Sequence, residues 1–148
     1  MNAGARPGPE AGVSDGGSAA VEFLAVGVLL LVPIAYLVLT LGRVQAATFA
    51  AESGAREASR VVAAAPRGES AARAAVALAL ADQGFAPAAG DLALECAADP
   101  CRSPGAEVVA TVRVEVDLPL VPGFLAAAVP ARVPVQVRRV AVVDRFVP

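Results

Sequence analysis

Residues Phe23 to Leu41 read FLAVGVLLLVPIAYLVLTL, nineteen positions without a charged side chain. At about 1.5 Å of rise per residue, a helix of that length covers the roughly 30 Å hydrocarbon core of a bilayer. A core helix of a soluble protein shows a polar stripe where it meets water, and this run shows none. The stretch therefore predicts one membrane-spanning helix, which takes in its flanks at 18–42. Pro33 removes one helical hydrogen bond, a loss that spanning helices tolerate. A cleaved secretory signal is the rival reading, because Val44-Gln45-Ala46 resembles a small-residue cleavage site. It fits poorly: the run is longer than a signal core, and Arg6 before it is set against Glu10 and Asp15, so there is no basic leader.

Upstream, residues 1–17 (MNAGARPGPEAGVSDGG) carry Gly, Pro and Ala without periodicity and predict a disordered leader. Downstream, Val44, Ala47, Ala51, Ala55, Ala58 and Val62 recur at spacings of three and four, while Glu52, Ser53, Arg56, Glu57 and Arg60 lie elsewhere around the helix. The spanning helix is thus expected to continue as an amphipathic rod to about Pro66, on the order of 70 Å in all. A second helix is expected over Ser70–Gln83, capped by Ser70 and ended by Gly84, with Ala72, Ala75, Val76, Ala79 and Leu80 facing inward.

From Asp91 the period changes to two. Leu92, Leu94 and Cys96 alternate with Ala93 and Glu95; Val108 to Leu118 alternates apolar with polar; Val133 to Phe146 resumes as a strand in which the Arg138-Arg139 pair predicts a bulge or an edge crossing. Between the last two strands, Phe124 to Val129 is expected to form a helical turn. The fold class is therefore α+β: a long N-terminal transmembrane helix, a second helix and a small antiparallel sheet, with residues 43–148 forming an extracytoplasmic domain.

Composition excludes more than it assigns. All twelve basic residues are Arg, against fourteen acids, for a net charge of −2. The signs are interspersed, so no basic stripe suggests nucleic acid. Without histidine, neither a Ser-His-Asp nor a Cys-His arrangement can form, and no glycine-rich phosphate loop follows a strand, so no enzyme and no cofactor is expected. Cys96 and Cys101 are too few for a zinc site. Their spacing suits a structural disulfide in an oxidising compartment, and the other reading is two reduced, buried thiols.

One group of residues stands apart. In Gly17-Ser18-Ala19-Ala20-Val21-Glu22-Phe23, a lone carboxylate sits at the mouth of the spanning helix, where it wants either a partner or a place among the headgroups. A cut after Gly17 would supply a partner, a new α-amino group on Ser18 of the same or a neighbouring chain.

Gly17, Glu22, Phe23 and the apolar helix that follows resemble a type IV prepilin, and more narrowly a TadE-like protein of the Tad (type IVb) pilus system. The resemblance covers about the first fifty residues. It implies cleavage between Gly17 and Ser18 by a prepilin peptidase, a register contact made by Glu22 and Phe23, other pilin or pseudopilin subunits as partners, and a minor pilin or pseudopilin role in pilus assembly from the cytoplasmic membrane. The leader departs from the pattern in ending Asp15-Gly16-Gly17, where a basic residue commonly precedes the glycine. A single-pass membrane-anchored binding module, unprocessed, is the alternative. Arg43, Arg56 and Arg60 follow the span and only Arg6 precedes it, which read alone would put the domain in the cytoplasm. The prepilin resemblance and the cysteine pair place the N-terminus in the cytoplasm and the domain outside.

Overall fold

A computed structural model describes residues 4, 16–65, 68–119 and 132–146. Most of the expected leader and the expected turn at Phe124–Val129 lie outside the described residues; the first helix ends at Ala64, close to the expected Pro66. The order is α1 (Gly16–Ala64), α2 (Gly68–Asp82), β1 (Gly90–Cys96), β2 (Glu107–Asp117) and β3 (Arg132–Val142), the α+β arrangement read from the sequence. The chain divides into two units, Met1–Ala35 and Tyr36–Pro148, with α1 crossing the boundary.

In the first unit, helical residues 17–35 are exposed at every position, including Phe23, Leu29 and Leu31. Nothing apolar is buried against protein there. α1 is long enough and apolar enough to cross a membrane once.

The second unit holds the core. β1, β2 and β3 form an antiparallel meander with β2 in the middle, and Leu92, Val112 and Val137 stand in one row of its inner face. Leu80, Val108, Val112, Val114, Val116 and Val143 are fully buried, each stabilising the fold by about 1.5–3 kcal/mol through removal from water. The helices pack on this face. The expected stripe Ala47, Ala51, Ala55, Ala58 and Val62 is buried, and Ala50, Gly54, Ser59 and Ala63 widen it. A wider stripe is needed because α1 is covered from two sides. A side chain at Gly54 would meet Val76 of α2 at 3.4 Å, and Glu52 reaches Arg139 on β3. Small residues let these backbones approach, so the valines of the sheet fill most of the volume.

Three expectations are corrected. α2 begins at Gly68, which places Ser70 inside the first turn instead of at the cap. Gly68 lies flush on the preceding helix, where a Cβ would come within 2.7 Å of the Val62 backbone, and Glu69 supplies the first-turn acid. β3 ends at Val142, not Phe146; Val143 turns its amide to the Ala106 carbonyl, and Phe146 is exposed. Nor does Arg138-Arg139 make a bulge, since pairing with β2 runs unbroken from Asp117↔Arg132 to Glu107↔Val142. Arg139 stays on the inner face because it stands opposite Ala110, whose small side chain leaves room for the guanidinium, and because Glu52 partners it.

Candidate functional site

Gly17 and Ser18, the expected cleavage point, sit in the first turn of α1, since helical structure starts at Gly16. Four residues on, about 6 Å along the axis, Glu22 faces outward beside Phe23, which is 78% exposed. The carboxylate has no ion pair with another described residue of this chain.

Cys96 and Cys101 are joined as a disulfide, with Cα atoms 5.1 Å apart. Cys96 closes β1 opposite Val108, and Cys101 packs on the core. The rest of the β1–β2 connection is tied by backbone bonds: the amide of Ala97 donates to Glu107, that of Ala106 to Ser103, and that of Gly105 to Val143. The bridge therefore pins the end of the sheet and leaves no thiol for redox or metal chemistry.

Two long-range pairings went unseen in the sequence. Glu52 on α1 accepts from Arg139 on β3 and, at 3.0 Å, from Arg56 on its own helix. The Arg139 hydrogen bond and charge hold the Glu52 carboxyl below the usual glutamate value. Arg43 places its guanidinium 5.2 Å from the centre of the Phe85 ring, a cation–π contact between α1 and the α2–β1 turn. Nothing in the spacing of residues so far apart in sequence announces either one.

The outer sheet face carries a shallow recess of about 640 Å³ lined by Asp91, Arg113, Glu115, Asp117 and Arg132. Its arginines are already engaged. Arg132 pairs with Asp117 at 3.0 Å and Glu115 at 3.2 Å, which raises its pKa, and Arg113 donates to Gln136 at 2.9 Å. With three acids, Asp91, Glu115 and Asp117, set against two arginines, the recess does not favour an anionic ligand.

No family model, curated protein or solved structure matches this chain. The chain presents an exposed apolar helix with one carboxylate near its head and a small disulfide-bonded domain.

Proposed function

We propose that the chain is a TadE-like minor pilin or pseudopilin that takes part in assembling a Tad-type (type IVb) pilus from the cytoplasmic membrane. The supporting observation is α1. It is a single element that begins at the Gly17–Glu22 group, exposes apolar side chains along residues 17–35, and ends as the alanine-faced core helix of the domain. A helix whose large side chains face outward and whose small ones face its own domain is suited to lie first in lipid and then against other helices. Glu22 then neutralises an N-terminus created by prepilin peptidase and sets the axial stagger between subunits. The domain lies outside the cytoplasm, where the Cys96–Cys101 bridge persists. In this reading the chain has no catalytic role of its own.

Co-expression with a prepilin peptidase, followed by mass spectrometry of the N-terminus, tests the reading. A mature chain starting at Ser18 is expected, and one starting at Met1 or after Ala46 overturns it. The second reading, an unprocessed membrane-anchored binding module, is favoured by Asp15 in the leader and by the helical state of Gly16 and Gly17, which a peptidase would have to unwind. It predicts the Met1 start.

A further inference from the structure

Within the second unit, α1 opens with Tyr36 to Leu41, the last turn and a half of the apolar run, and Leu37, Val38, Leu39 and Leu41 are all more than half exposed. Arg43, two residues later, is the first charge after them. In a helix the Cα–Cβ bond tilts toward the N-terminus, so a long side chain at Arg43 covers the turn before its own Cα. The Phe85 ring meets the Arg43 guanidinium, its centre 5.2 Å away.

The position of Phe85 is fixed by the end of α2. The amide of Phe85 donates to the Leu80 carbonyl at 2.9 Å and that of Gly84 to Ala81 at 3.0 Å, with Gly84 at φ +73°. These are the two bonds of a Schellman cap, which brings the residue after the glycine back onto the helix. Leu80, beneath it, is fully buried and touches the position a Cβ of Gly90 would take. From Gln83 to Gly90 (QGFAPAAG) there is no charge, Asp82 and Asp91 flanking the run, and Ala86, Pro87 and Ala88 are exposed.

We propose that this α2–β1 turn, Gly84–Gly90, seats in the headgroup layer of the bilayer that α1 crosses, so that the domain meets the membrane at a second place besides its anchor. The inference rests on the spanning role of α1. The occupant is lipid because the turn touches Arg43, the first charge after the apolar run, and an arginine there keeps its stem on apolar surface and its head in the interfacial zone.

The chain contains no tryptophan, so single-tryptophan variants report depth directly. Phe85→Trp, Ala88→Trp, Leu37→Trp and Val140→Trp are made in the full chain and reconstituted into vesicles of mixed zwitterionic and anionic phospholipid, with bromine placed at shallow or deep positions on the acyl chains. Expected results are a loss of Leu37→Trp emission to deep bromines, a loss of Phe85→Trp and Ala88→Trp emission to shallow ones with a shift to the blue, and no loss for Val140→Trp on the outer sheet face. Quenching of Leu37→Trp alone overturns the seating of the turn and leaves the span intact. An unquenched Leu37→Trp overturns the span itself, and the seating with it. Should Phe85→Trp fail to fold, Ala88→Trp, whose side chain is exposed, decides.

Discussion

Opening the Cys96–Cys101 bridge should weaken the domain by an amount set by the loop it closes. The cysteines are five residues apart, and constraining so short a loop removes about 7 cal/mol/K from the unfolded chain, or about 2 kcal/mol at 25 °C. Both cysteines are only partly buried, so replacing them with serine adds little further desolvation. For a domain of this size about 2 kcal/mol corresponds to a fall in Tm of roughly 8–16 °C. The assay is thermal unfolding of the full chain in detergent micelles, followed by far-ultraviolet circular dichroism with and without reductant, beside the Cys96→Ser/Cys101→Ser double variant. Reduced protein and variant should melt together below the oxidised protein, and the variant should ignore the reductant. Coincident melts of oxidised and reduced protein would refute the reasoning, because the bridge would then constrain nothing that the backbone bonds of the connection do not already hold.

Leu80→Ala, which empties a fully buried site under the α2 cap, should cost about 3–5 kcal/mol in denaturant unfolding. The two helix-contact glycines should respond oppositely. Gly54→Ala adds a methyl at ordinary contact distance from Val76 and gains about 0.5–1 kcal/mol of helix propensity, whereas Gly68→Ala drives a Cβ to 2.7 Å from the Val62 backbone and lowers Tm. Acid should also weaken the domain through Glu52. Its folded pKa lies below its unfolded one, so its contribution is full above the ordinary glutamate value of about 4.3 and is lost as pH falls through the lower, folded value; Glu52→Gln should flatten that part of the stability-against-pH curve, and an unchanged slope would show that other carboxylates carry it.

What could be read from the sequence was whatever is written in local periodicity. The charge-free run, the alanine stripe from Ala47 to Val62 and the alternation through β2 each bury or expose a face by their own spacing, and each stands in the structure as expected. Arg139 was misread because alternation alone gives a charged residue on an inner face no place to go; the place is made by Ala110 and Glu52, the latter 87 residues away. Phe85 and Arg43 were invisible as a pair for the same reason, although Gly84, which brings them together, was recognisable as a helix terminator. Ser70 lost its capping role to a contact between Gly68 and α1 that no propensity encodes. At the head of α1 the sequence carries the chemistry, a glycine and a lone carboxylate, but their proposed partner belongs to a second molecule.

The sorting of side chains along α1 separates two kinds of failure that usually occur together. The leucines and the single phenylalanine, Phe23, before Arg43 face outward and contribute nothing to the domain's core, while that core draws on α1 almost entirely for alanine. Heat, acid or a reductant that melts the domain therefore removes none of the hydrophobic attraction between residues 23–41 and a bilayer. The damaged protein would remain as an unfolded tail tethered at the bilayer by its apolar helix.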